Sequence, residues 1–247
     1  MSNSLTGKRV LVTGASRGIG KAIAESFADA GADVAITFQN SRDKAQEVVR
    51  EIEAKGQRAV AIAADSADPE AVQNSVIQAA TFLGGLDILV NNAGVIIHGP
   101  FEEVKLDELN HILNVNIRSV VLATQSALAI MKDGGRIINI GSCQAERVPG
   151  PGLSIYSMTK SALTSLTRGL ARDLGPRGIT VNLVNPGPTD TDMNPADGEN
   201  SENQRLLTAL GHFGATEDVA NAVIFLAGPG AKHITGVGLA VDGGINA

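Results

Sequence analysis

The strongest constraint on the fold is a repeated change of period along the chain: short apolar, β-branched runs alternate with longer segments whose apolar residues recur at helical spacing. Runs at 8–13, 33–38, 58–63, 86–91, 134–140, 178–184 and 236–241 read as strands, and 18–29, 41–55, 69–83, 106–131, 156–174 and 217–226 read as helices. Strands this uniformly apolar are covered on both faces, as parallel strands joined by helical crossovers are. Right-handed crossovers then build a doubly wound, seven-stranded parallel sheet of the α/β class. Asp68-Pro69 marks a helix start, an N-cap followed by a residue whose missing N–H is harmless at the first helical position. Gly31, Gly56 and Gly84 each follow a helical pattern and suit left-handed C-terminal caps.

With 247 residues and no repeat, low-complexity tract or Ser/Gly/Pro linker, the chain reads as one domain, 1–247. The alternation fails from Pro186 to about Gly214, where no regular period appears before Gln204. A long irregular stretch in a compact domain is commonly functional, so 188–214 is expected to form a substrate loop or lid. A 43% hydrophobic and 19% charged composition supports a sizeable core. Lys and Arg number 20 against 26 Asp and Glu, a formal charge of -6, so no basic excess is available for a nucleic-acid backbone. A single cysteine rules out an internal disulfide, and no Cys/His cluster has zinc-ligand spacing, so no metal is expected. The N-terminus lacks the pattern of a secretory signal, and every apolar run is far shorter than the roughly 20 residues that span a bilayer. A cytoplasmic protein without membrane or nucleic-acid partners is expected.

The first strand ends in Gly14-Ala15-Ser16-Arg17-Gly18-Ile19-Gly20, and an amphipathic helix follows. Glycines allow close backbone approach, while a helix N-terminus offers free N–H groups and partial positive charge to a pyrophosphate. Strand, glycine turn and helix in this order suggest a Rossmann-type dinucleotide cradle, although the spacing is GxxxGxG rather than GxGxxG. At the end of the second strand, Thr37-Phe38-Gln39-Asn40-Ser41-Arg42 carries no carboxylate to bind a ribose 2′-hydroxyl. Arg17 and Arg42 are cations able to meet a 2′-phosphate, which favours NADP(H) over NAD. Asp65, ahead of Ser66, suits either a helix cap or an adenine amino group.

These features, with TGASRGIG at 13–20, LVNNAG at 89–94, Ser142 closing INIGS, YSMTK at 156–160, NPG at 185–187 and VDGG near the C-terminus, resemble the short-chain dehydrogenase/reductase family over nearly the whole chain. The resemblance implies metal-free hydride transfer between a nicotinamide cofactor and a small-molecule carbonyl or alcohol. Tyr156 and Lys160 are four positions apart at the start of a helix and share a face, an arrangement that an ordinary amphipathic helix also produces. As partners, the ammonium and an oxidised nicotinamide would both favour phenolate, and Tyr156 would exchange a proton with the substrate oxygen. By resemblance Lys160 also holds the nicotinamide ribose. Ser142 is either a turn former or a hydrogen-bond donor to the substrate carbonyl. Asn116 either satisfies nearby backbone or, as the resemblance implies, holds a relay water with Lys160.

Cofactor contacts are further expected from Ser16, Asp65, Ser66, Asn91, Ala93 and Gly94, with Asn92 mainly structural. After the sixth strand, Pro186 and Gly187 turn the chain so that Thr189 and Thr191 can meet the carboxamide. Cys143 has no activating partner and reads as a buried thiol. His98 and His212 fall near expected cleft edges. Ile96, Ile97, Val148, Leu153, Ile155, Met193, Leu206 and Phe213 suggest an apolar substrate pocket. The resemblance also implies a homotetramer. It extends to bacterial 3-oxoacyl-carrier-protein reductases, and to biofilm-dispersal proteins that bind cyclic di-GMP. The main expectation is an NADPH-dependent carbonyl reductase, with a cyclic-di-GMP-type regulatory protein or an NAD-dependent alcohol dehydrogenase as alternatives.

Overall fold

The computed structural model describes residues 4–247. Seven parallel strands form one sheet in the order β3-β2-β1-β4-β5-β6-β7, with β1 at Arg9–Val12, β2 at Asp33–Phe38, β3 at Ala59–Ala63, β4 at Ile88–Asn91, β5 at Arg136–Ile140, β6 at Thr180–Pro186 and β7 at Gly238–Val241. The long helices are α1 (Gly18–Asp29), α2 (Arg42–Ala54), α3 (Pro69–Leu83), α4 (Leu106–Leu113), α5 (Ser119–Leu128), α6 (Ser154–Leu174), α7 (Ser201–Leu207) and α8 (Thr216–Ala227). β1 pairs with both β2 and β4. The strand order therefore reverses at β1, opening a crevice at the carboxyl ends of the strands.

Strand alternation divides the core into two layers. Val10, Val12, Val34, Ile36, Ile88 and Val90 point to one face, where Phe27 of α1, Val48 of α2 and Val223 of α8 cover them. The residues between them, Leu11, Ala35 and Leu89, point to the other, against Val76 of α3, Ala127 of α5 and Leu174. Burial on both sides explains why the strands are apolar throughout.

Local signals act as read. Asp68 accepts from the N–H groups of Glu70 and Ala71, and Pro69 opens α3. Gly31, Gly56 and Gly84 all have positive φ after their helices. Helix 106–131 departs from expectation: a π-helical turn at Asn114–Arg118 splits it, and regular helix ends at Leu128. A register change of this kind is common at functional sites. β6 runs two residues past its expected end, because Asn185 and Pro186 pair with Ala240 and Val241. Within 188–214, Thr189 bridges to Gly214 and α7 begins at Ser201, three residues before the period becomes visible.

Candidate active site

The crevice opens into a cleft of about 960 Å³ at the carboxyl ends of the strands. One end is built by the β1–α1 turn. Thr37 Oγ1 accepts from Gly14 N at 3.0 Å, and Thr13 Oγ1 accepts from Asn92 N and Ala93 N at 3.0 and 3.1 Å. The Asn92 amide donates to Thr13 O at 2.9 Å and Gly14 O at 3.0 Å, which fixes its structural role. Packing is close enough to demand glycine. A Cβ on Gly14 would lie 2.9 Å from the Ala93 Cα, and one on Gly20 would lie 2.7 Å from the Gly14 carbonyl oxygen. The first turn of α1 has no side-chain cap and no acidic residue, so its N–H groups face the cleft free for an anion. A glycine cradle over such a helix start fits a dinucleotide pyrophosphate. Gly14, Ser16, Arg17, Gly18, Ile19, Gly20, Asp65, Ser66, Ala93, Gly94, Pro186, Gly187, Thr189 and Thr191 all line the cleft. Asp65 Oδ1 accepts from Ala67 N at 2.8 Å, turning the chain ahead of the true N-cap, Asp68.

Asn91 is a correction. Its side chain donates to Asn139 Oδ1 at 2.9 Å and Thr124 Oγ1 at 3.3 Å, and Asn139 donates to Thr167 Oγ1 at 3.0 Å. It shares the face of Leu89, turned towards α5 and away from the cleft. The Asn116 side chain takes the first of its two expected roles, satisfying nearby backbone. Its Nδ2 donates to Val95 O and Thr159 Oγ1, and its Oδ1 accepts from Val95 N, so the side chain staples the loop after β4 to α6. With both amide hydrogens committed, this side chain does not donate to a relay water.

The charge pattern at the ribose end was only partly visible. Arg42 does not line the cleft. Nor does Lys44, two residues further along α2, but Lys44 and Arg17 both pair with Asp192 of the 188–214 segment, at 3.2 and 3.3 Å. These two cations hold the Asp192 carboxyl below its ordinary range. Lys44 had no signal beyond its sign, since its partner Asp192 is distant in sequence.

Ser142, Tyr156 and Lys160 line the same cleft. Ser142 caps the short 3-10 turn Cys143–Ala145, its Oγ accepting from Gln144 N at 3.1 Å. Burial pushes the Tyr156 phenol up to about 12, against the opposing effect of hydrogen bonding with Ser142. The shift runs opposite to the expected lowering, and Lys160 Nζ donates to Ile140 O at 3.0 Å. That ammonium lies 5.8 Å from the centre of the Tyr156 ring, and burial lowers it to about 8. Burial also lifts the Cys143 thiol to about 11, leaving it protonated and inert.

The other end of the cleft holds Ile96, Leu153 and Met193 as anticipated, together with Leu207 and Ile245. Ile97, Val148, Ile155, Leu206 and Phe213 lie outside its lining, and His111 joins His98 there in place of His212. Gln144 and Arg147, in the loop after Ser142, line it as well, although a short loop carries no period to show which way each residue faces. Among the described residues, no helix is long and apolar enough to cross a membrane.

A family profile described as Enoyl-(Acyl carrier protein) reductase matches residues 14–246. The cyclic-di-GMP-binding biofilm dispersal mediator protein of Escherichia coli K12 is 43% identical over 244 residues, covering 99% of both chains. A 3-oxoacyl-(acyl-carrier-protein) reductase of Staphylococcus aureus is 40% identical over 241 residues, 96% of this chain and 98% of that one. A short-chain dehydrogenase from Burkholderia cenocepacia J2315, solved in complex with NADP, superposes with a TM-score of 0.98 at 56% identity, covering 99% of this chain and 100% of that chain. With its doubly wound sheet, its glycine cradle and matches of this extent, the chain belongs to the short-chain dehydrogenase/reductase family of oxidoreductases.

Proposed function

We propose that this oxidoreductase is an NADPH-dependent carbonyl reductase that converts a ketone to a secondary alcohol. The observation that carries this reading is the convergence of Ser142, Tyr156 and Lys160 on one cleft whose other end is the glycine cradle. The dinucleotide, when bound, supplies hydride to the carbonyl carbon. Tyr156 supplies the balancing proton from its hydroxyl to the carbonyl oxygen. A phenol pushed up to about 12 is fully protonated at neutral pH, the state a proton donor needs. Ser142 donates to the same oxygen and orients it. Lys160, with its single acceptor at Ile140 O, has further N–H groups to offer a ribose hydroxyl and a proton to return to the phenol.

Preference for NADPH rests on Arg17 and Lys44 at the ribose end and on the absence of a carboxylate from 39–41. Gly14, Ser16, Arg17, Gly18, Ile19, Gly20, Asp65, Ser66, Ala93, Gly94, Pro186, Gly187, Thr189 and Thr191 make up the remaining cofactor contacts. The chain acts as one domain, with 188–214 its substrate loop, in a cytoplasmic homotetramer. Family resemblance and exposed apolar residues such as Leu106 and Phe225 support the assembly. The test is a panel of activated ketones and alcohols with NADPH and NADH, followed by nicotinamide absorbance. Consumption of NADPH by ketones supports the reading.

A second reading is favoured by the 43% identity to the Escherichia coli biofilm dispersal mediator: a regulatory protein that binds cyclic di-GMP on the same fold. Calorimetry with cyclic di-GMP, with and without NADPH, separates the two. Micromolar binding without turnover of any carbonyl selects the regulator, and turnover without binding selects the reductase.

A further inference from the structure

The two ends of the cleft differ in charge. Its lining carboxylates are Asp65 and Asp192, and both sit at the dinucleotide end, the second paired with Arg17 and Lys44. The substrate end is lined by the guanidinium of Arg147, the imidazoles of His98 and His111 and several amides, with no carboxylate among them. In a chain with a formal charge of -6, a carboxylate-free chamber containing a guanidinium is a local inversion of the overall balance.

Arg147 is held in place from below. Its Nη1 donates to Ile245 O at 3.0 Å, and Asn246 Nδ2 donates back to Cys143 O at 2.8 Å. These two bonds fasten the C-terminal tail to the loop after Ser142 and make both segments one wall of the chamber. The bond to Ile245 uses one of five guanidinium N–H groups, and among the described residues no carboxylate lies within ion-pair distance of Arg147. The rest of the fork is available to a planar anion. Gln144, two residues from Ser142, lines the same wall, and its buried Oε1 has no hydrogen-bond partner. Exchange of the two ends of that amide presents an N–H₂ group to the same space. Around these polar groups stand Ile96, Leu153 and Met193.

Resting on the reductase reading, we infer that the substrate is an oxo acid, whose carboxylate pairs with Arg147 and Gln144 while its ketone meets Ser142 and Tyr156. A single guanidinium fork matches the charge and plane of one carboxylate, whereas a dianionic phosphate calls for several cationic donors. A short apolar chain between ketone and carboxylate fits the surrounding side chains.

The test compares pyruvate, acetoacetate and levulinate with their methyl esters under NADPH, reading the ratio of kcat/KM for acid over ester. The wild type is expected to favour the acid in at least one pair. Arg147→Met should lower that ratio by about ten- to a hundredfold, the worth of a hydrogen-bonded charge. Arg147→Lys, which keeps the charge but loses the fork, should fall between the two. Gln144→Glu leaves the tail clamp alone and places a like charge beside the carboxylate, so it too should lower the ratio. Esters reduced as well as acids in every pair, or an unchanged ratio in both Arg147→Met and Gln144→Glu, overturn the inference. Reduction of neutral ketones without any acid preference leaves the reductase reading standing. Failure to reduce any carbonyl removes both.

Discussion

Lys160 and Tyr156 are shifted in opposite directions by the same cause, burial, and their effects on stability have opposite signs. The folded Lys160 titrates at about 8 against an ordinary 10.5, so between those values the unfolded chain binds more protons and stability rises with pH. The folded Tyr156 titrates at about 12 against 10.0, so stability falls as pH climbs between them. The thermal midpoint of the protein alone should therefore rise from pH 8 towards 10, and Lys160→Met should flatten that rise while remaining at least as stable as wild type at pH 7. A scan of unfolding temperature against pH checks this. Tyr156 is the one tyrosine in a chain without tryptophan, so phenolate absorbance reports it alone. An ordinary phenol is half ionised at about pH 10, whereas the folded protein should show little phenolate there. The serine, tyrosine and lysine were legible because their order and spacing are local. The direction of the phenol's shift was not legible, since burial belongs to the packed structure. Nor was the choice between Asn91 and Asn92, which turns on the pleat of the last residues of β4.

Among the elements, α1 and α3 have the bounds their caps and periods suggest, because both start and stop signals lie within the segments themselves. The π turn between α4 and α5 had no such signal; the Asn116 amide there finds its partners at Val95 and Thr159, which are distant in sequence. Asn116→Ala should leave the Val95 N–H and C=O without those partners and cost about 1–3 kcal/mol, measured by urea unfolding. At the start of α2, Lys44 is predicted to distinguish the two nicotinamide cofactors. Lys44→Ala should weaken NADPH binding several-fold and leave NADH binding unchanged, with the difference shrinking as salt is added. Equal losses for both cofactors would contradict a role at the 2′-phosphate. Arg42 was the more obvious cation by position, but it is Lys44 that shares the Asp192 carboxylate with Arg17.

For the whole molecule, the doubly wound architecture was readable because seven apolar runs and their intervening helices leave few ways to cover both faces of a sheet. The core should respond independently of the chemistry. Phe27, fully buried between α1 and the sheet, should cost about 3–5 kcal/mol when replaced by alanine, lowering the thermal midpoint while turnover per folded molecule is retained. The same sheet that buries Phe27 carries the phosphate cradle and the proton donor to adjoining strand ends, so that a dinucleotide and a small carbonyl compound can share one cleft. That pairing of a reducing cofactor with one buried phenol is tested most directly by Tyr156→Phe, assayed in parallel for kcat with a good ketone and for NADPH affinity by fluorescence. The expected result is a fall in kcat of about 10²–10⁴-fold with NADPH binding nearly intact. A Phe variant that reduces the ketone at the wild-type rate would contradict the assignment of the proton to Tyr156.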